Sequence, residues 1–165
     1  MMEEGRITDA VLARSVQQRR RMWERREAAA EITLGYDVVV DTDISIPLDR
    51  IAAFPARMSQ ALAALDPAAW EITIAHLGDG NIHYTALPSD SDPAHLAAIR
   101  AAVDGVVRDL GGSFSAEHGI GVAKLASMGR CKDPVALEVM RSLKAALDPA
   151  GILNPGKVLP PAPDR

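Results

Sequence analysis

Two short segments, Glu71–His76 (EITIAH) and Ile82–Leu87 (IHYTAL), alternate apolar and polar residues on either side of Gly78-Asp79-Gly80-Asn81. A period of two buries one face of a strand, and Gly-Asp-Gly is turn chemistry, so this stretch is held to a β-hairpin. A hairpin is stable only when something covers its apolar face. The flanks supply that cover. Leu48, Ile51, Phe54, Met58, Leu62 and Leu65 recur at helical spacing after Pro47, with Pro55 marking a kink or an early restart. Asp92-Pro93 opens a second helix carrying Leu96, Ile99, Val103, Val106, Val107 and Leu110, and Gly111-Gly112 closes it.

Two more strands complete the pattern. Tyr36–Ile46 is β-branched and ends in strict alternation, and Ser113–Glu117 is a short fourth candidate. The resulting β-α-β-β-α-β order is the ferredoxin-like split of an α+β fold, expected here as one domain over residues 1–165. Further helices are expected from Ile7 to about Thr33, over Val122–Met128, and from Asp133-Pro134 through Leu147, with Asp133 as N-cap. The tail from Asp148 is rich in Pro and Gly and should be irregular.

Composition narrows the function classes. The 165 residues carry a net charge of −4, which argues against nucleic acid as the main partner. No apolar run is long enough to span a membrane, and the MMEEGRITDA start lacks the layout of a secretory leader. The one cysteine, Cys131, points to a reducing cytoplasm. The chain is too short for a full dinucleotide-binding domain plus a substrate domain, and no G-x-G-x-x-G loop is present. Arg19, Arg20, Arg21 and Arg25 read as a solvated helix face, Trp23 and Trp70 as packing residues, His95 as exposed and idle, and Asp79 as turn chemistry.

Three of the four histidines fall in His76-Leu-Gly-Asp-Gly-Asn-Ile-His83 and Glu117-His118-Gly-Ile-Gly121. His76 and His83 at the two mouths of the hairpin would lie within about 5 Å across the strands. Glu117 at the end of the fourth strand adds a carboxylate. Two imidazoles and a carboxylate with open positions suit zinc or another first-row divalent ion. The other reading is that these histidines only hydrogen-bond within turns that glycine permits.

These motifs, with Ile152-Leu-Asn-Pro-Gly-Lys-Val158 and Trp23-Glu-Arg-Arg-Glu27, resemble the C-terminal half of FAD-linked 2-hydroxy acid oxidoreductases of the vanillyl-alcohol oxidase superfamily. That group includes dehydrogenases of D-lactate and D-2-hydroxyglutarate and the FAD subunit of glycolate oxidase. The resemblance runs from about Trp23 to Val158. It implies His76, His83 and Glu117 as ligands of a divalent metal (zinc or manganese), His118 as catalytic base, Arg26 on the substrate carboxylate and Asn154 near the flavin. It also implies FAD bound mainly by a separate FAD-binding domain or subunit, hydride transfer from substrate C2 to flavin N5, and a small 2-hydroxy acid as substrate. A homodimer is left open.

Three positions depart from the hydroxyglutarate dehydrogenase pattern: Ala30 for a threonine, Asp41 for a lysine and Thr85 for an asparagine. Gaining an anion where a cation stood disfavours a second substrate carboxylate. The expectation is therefore the substrate and metal domain of a truncated or split 2-hydroxy acid dehydrogenase, inactive alone. The competing readings are a stand-alone ferredoxin-like module that binds metal or a small acid without catalysis, and an inert remnant.

Overall fold

The computed structural model describes residue 5, residues 7–28 and residues 32–162. It has two compact units, Met1–Asp37 and Val38–Arg165. In the first unit the described helix is α1, Val16–Glu27, with Ser15 capping its start through the Gln18 N–H. It is shorter than the expected Ile7–Thr33 helix. Residues 7–14 take no helical turns, and residues 29–31, Ala30 among them, lie outside the described residues. None of its residues is buried, which bears out a solvated face for Arg19, Arg20, Arg21 and Arg25. Trp23 remains 59% exposed, so it does not pack as expected.

The second unit is α+β. Its strands are β1 (Val40–Ser45), β2 (Trp70–His76) and β3 (Asn81–Leu87), and β3 lies between the other two in an antiparallel sheet. Between them in sequence, a 3₁₀ turn at Leu48–Arg50 leads into α2 (Ala53–Leu65). Pro55 occupies the first turn of α2, where its missing N–H costs nothing. Helix α3 (Pro93–Asp109) starts on Asp92, which accepts the His95 N–H. A 3₁₀ turn at Val122–Lys124, α4 (Leu125–Cys131) and α5 (Pro134–Leu147) follow, and Asp133 caps α5 through the Ala136 N–H. No helix among the described residues is long and apolar enough to cross a membrane.

Strand alternation separates the sheet's two faces. Val40 and Ile44 of β1 and Ile82, Tyr84 and Ala86 of β3 share one face, and they are buried against Phe54, Met58 and Leu62 of α2 and Ile99, Val103 and Val107 of α3. Phe54 meets Tyr84 edge to face at 5.6 Å. The opposite face carries Asp41, Asp43, His83, Thr85 and His76, as the register of the three strands requires. Trp70, on that face, is 61% exposed.

The expected fourth strand does not form. Residues 113–117 contribute one bridge, Ser45 to Ser113, on the free edge of β1. Past it the Ala116 N–H still reaches the Asp43 carbonyl of β1 at 3.2 Å and its carboxylate at 3.3 Å, whereas the Glu117 and His118 N–H groups turn to the Asp43 carboxylate instead of to a strand partner. A side chain has out-competed the ladder for these last two backbone donors.

His95 is not idle. Its Nε2 lies 3.0 Å from the buried Asp66 carboxylate, which also accepts the Ser89 N–H at 2.7 Å. Asp66 thereby ties the end of α2 to the loop before α3. The Ser89 N–H and then the His95 ring hold the Asp66 carboxyl well below its usual range, while the bond to Asp66 raises His95. A lowered acid stabilises above its unfolded value and fails as pH falls. A raised histidine stabilises below its unfolded value and fails as pH rises through the higher native one. The pair should therefore support the fold most between about pH 4 and 6.5. Urea midpoints for wild type and His95→Gln are expected to differ most in that window and to converge towards pH 9. A difference that stays constant with pH would contradict this.

Candidate metal and proton-transfer site

The hairpin brings the histidine motif together by a route that differs from direct opposition. His76 pairs with Asn81, and His83 stands opposite Ile74 of β2 and Asp43 of β1. The four-residue Leu77–Gly80 turn sets this register, and Asp79 Oδ1 accepts the Asn81 N–H, the turn role expected of it. His76 and His83 are thus diagonal neighbours on one face. Their rings still meet edge to face at 5.5 Å.

Around His83 the other groups gather. Glu117 Oε1 is 3.2 Å from His83 Nε2 and 3.5 Å from His118 Nε2. The His118 ring stacks on that of His83 at 5.3 Å. His118 Nδ1 is 3.9 Å from Asp43 Oδ2. Asp43, His83, Glu117 and His118 can each offer one ligand atom within 4.8 Å of all the others. His76 lies outside that group of four, one ring away.

The donor set fits a metal ion. Zinc-type bonds of about 2.0–2.2 Å place tetrahedral ligand atoms about 3.3–3.6 Å apart. The His83–Glu117 and Glu117–His118 separations of 3.2 and 3.5 Å match that spacing. Glu117 and His118 are about half exposed, so the cluster opens to solvent. Asn81, opposite His76, has a buried Oδ1 with no hydrogen-bond partner among the described residues.

Sequence reasoning missed two residues of this cluster. Asp43 is 3% exposed and accepts N–H groups from three successive residues, and Lys124 Nζ approaches its Oδ2 at 2.9 Å. Burial raises the Asp43 carboxyl, but the His118 N–H, the Lys124 ammonium and the Glu117 N–H together hold it down at about 2. The one available signal was a charge on the outward face of β1. Its place opposite His83 depends on a register that residue types alone do not reveal.

The remaining expected residues are not among that group of four. Asn154 takes a left-handed backbone (φ 50°) in the tail, and its carbonyl accepts the Lys157 N–H. The buried Asp148 carboxylate gathers the Ile152 and Leu153 N–H groups just before it and is paired with Lys144. Arg26 is on α1, in the other unit. Asp41 and Thr85 form a cross-strand pair two residues along from Asp43 and His83, and Thr85 Oγ1 donates to Asp41 Oδ1 at 2.7 Å. Burial, with the Asp104 charge, pushes the Cys131 thiol up.

Comparison with known proteins identifies the family. The family profile described as FAD linked oxidases, C-terminal domain, matches residues 1–158. The chain is 37% identical over 161 residues to the mitochondrial D-2-hydroxyglutarate dehydrogenase of Bos taurus, covering 97% of this chain and 29% of that protein. It is 34% identical over 159 residues to the probable D-2-hydroxyglutarate dehydrogenase of Oryza sativa subsp. japonica, covering 96% and 28%. It is 32% identical over 162 residues to the D-2-hydroxyglutarate dehydrogenase of Stutzerimonas stutzeri (strain A1501), covering 95% and 35%. The chain thus spans about a third or less of the length of these curated relatives.

Proposed function

The chain belongs to the family of FAD linked oxidases, C-terminal domain, and from that premise we propose that it is the substrate- and metal-binding part of a 2-hydroxy acid dehydrogenase. The observation that carries this reading is the meeting of His83, Glu117 and His118 at one open point on the sheet. We read the sheet as a ferredoxin-like one whose fourth strand is reduced to a single bridge.

In this reading His83 and Glu117, with His76 swung in from its neighbouring position, hold a divalent ion such as zinc or manganese. The chemistry such an ion would supply there is a lowered pKa for the substrate hydroxyl. His118 takes the hydroxyl proton at its ring nitrogen, within reach of the same point. Arg26 is assigned to the substrate carboxylate and Asn154 to the flavin side on resemblance alone. FAD supplies the hydride acceptor when bound. Its diphosphate finds no glycine-loop cradle among the described residues, so a partner domain or subunit must hold it.

Two features refine the proposal. The Asp41 carboxylate on the site face opposes a second anion, so the substrate is a monocarboxylic 2-hydroxy acid rather than a dicarboxylate. Val135, Val139, Leu143 and Leu147 form an exposed stripe at four-residue spacing along α5. A stripe of that kind favours a chain that works with a partner over a stand-alone module.

The isolated protein is expected to purify colourless and to bind about one Zn²⁺ or Mn²⁺ per chain by calorimetry. Co-expression with a neighbouring flavin-binding reading frame should yield a complex with a flavin absorbance spectrum and 2-hydroxy acid dehydrogenase activity. Stoichiometric flavin on the isolated chain, or metal binding no better than in His83→Ala, would overturn the assignment.

A further inference from the structure

We infer that Asp43, backed by Lys124, is a positioning residue that folds residues 116–118 around its carboxylate so that Glu117 and His118 present their side chains to one point. Neighbouring residues of an extended chain point to opposite sides. Here Glu117 Oε1 and His118 Nε2 are 3.5 Å apart, so the backbone between them cannot be a simple strand.

Its shape follows from its donors. The Glu117 and His118 N–H groups reach Asp43 Oδ2 at 3.1 and 2.9 Å, and the Ala116 N–H is shared between that oxygen at 3.3 Å and the Asp43 carbonyl at 3.2 Å. Successive N–H groups converge on one oxygen only when the backbone curls into a concave nest. Gly119 and Gly121, with φ of 72° and 53°, let the chain leave that curl. Lys124 closes the arrangement. Its Nζ donates to the Asp43 carboxylate at 2.9 Å, to the Asp43 carbonyl at 3.3 Å and to Ser115 Oγ at 2.8 Å, so it fastens the strand to the start of the curl.

The same contacts explain why Asp43, though close enough to ligate, serves from behind. Its Oδ2 already accepts from three N–H groups and an ammonium. An ion bound there would have to displace a lysine whose side chain is 12% exposed. Asp43 therefore acts through Glu117 and His118.

This inference rests on the metal reading, and the test separates the two. Zn²⁺ affinity of the full chain is measured by calorimetry for wild type, Asp43→Asn, Lys124→Met, Glu117→Gln and the Asp43→Asn/Glu117→Gln double variant. Amide hydrogen exchange at residues 116–118 is followed in metal-free protein. Asp43→Asn is expected to weaken Zn²⁺ roughly 10–100-fold and Lys124→Met about 10-fold, as for other groups that orient a ligand. The double variant should bind no worse than Glu117→Gln, since the two act in series. Exchange at 116–118 should quicken at least about tenfold in Asp43→Asn while the core amides stay protected.

Unchanged exchange in Asp43→Asn overturns the inference, and so does a double variant whose losses add in full, which would make Asp43 a ligand. If wild type binds no Zn²⁺, the metal reading falls and the exchange result alone decides the role of Asp43. Should Asp43→Asn not fold, Lys124→Met, which keeps the three N–H bonds, decides by affinity and by exchange at Ser115 and Ala116; wild-type values in both would overturn it.

Discussion

Alanine at position 118 is expected to lower turnover of the assembled, flavin-loaded enzyme roughly 10²–10⁴-fold, the usual contribution of a general base. Metal and flavin content should stay near wild type. The geometry makes this a demanding separation. His118 stands within the ligand-distance cluster, its Nε2 3.5 Å from Glu117 Oε1, whereas His76 stands outside it. The rings of both touch that of His83, at 5.3 and 5.5 Å. Exposure favours His118 for proton transfer. Its side chain is 57% exposed against 24% for His83, so it can meet substrate and pass a proton on to solvent. His76→Ala and His83→Ala are then expected to lose metal and turnover together. Elemental analysis, flavin absorbance and steady-state rates on the three variants decide the matter. Metal lost from His118→Ala but kept in His76→Ala would exchange the roles of the two histidines.

How much of this was legible from residue order alone varies with the range of the interaction. The hairpin, α2, α3 and α5 follow from local periodicity, and their caps at Asp92 and Asp133 follow from local chemistry. Whatever depended on which strand residue faces which did not. Direct opposition of His76 and His83 assumed a symmetric turn, but the turn pairs His76 with Asn81 and shifts His83 by two residues. Ser113–Glu117 has strand-like composition, yet past the single bridge the Glu117 and His118 donors are claimed by the Asp43 carboxylate, some seventy residues earlier in the chain. His95 looked idle because Asp66, its partner, belongs to the end of another helix. The chemistry-bearing motifs could be read because each is local; the carboxylate and lysine that shape one of them could not.

The largest loss of stability is expected from Gly80→Ala. Gly80 has φ of +80°, and a Cβ there would stand 2.2 Å from the Ile46 carbonyl oxygen. The left-handed backbone alone costs an alanine about 1–2 kcal/mol. Relieving the clash means moving Gly80 away from Ile46, whose N–H donates to the Gly80 carbonyl at 2.9 Å. Stranding that buried pair adds about 1–3 kcal/mol. The total, roughly 2–5 kcal/mol, is a large share of the 5–15 kcal/mol typical of a domain. It corresponds to a fall in Tm of about 4–20 °C. Gly78 in the same turn is the control, because an added Cβ there meets nothing within 4 Å and its φ is not left-handed. Gly78→Ala should therefore unfold within a few degrees of wild type. The contact also bears on the site. Ile46 follows β1, which carries Asp43, and Gly80 precedes β3, which carries His83, so pushing the two apart opens the cluster from its closed end. Zn²⁺ affinity of Gly80→Ala, measured below its melting range, should fall along with its stability. Calorimetric melting that places Gly80→Ala level with Gly78→Ala would show that the turn yields without disturbing β1.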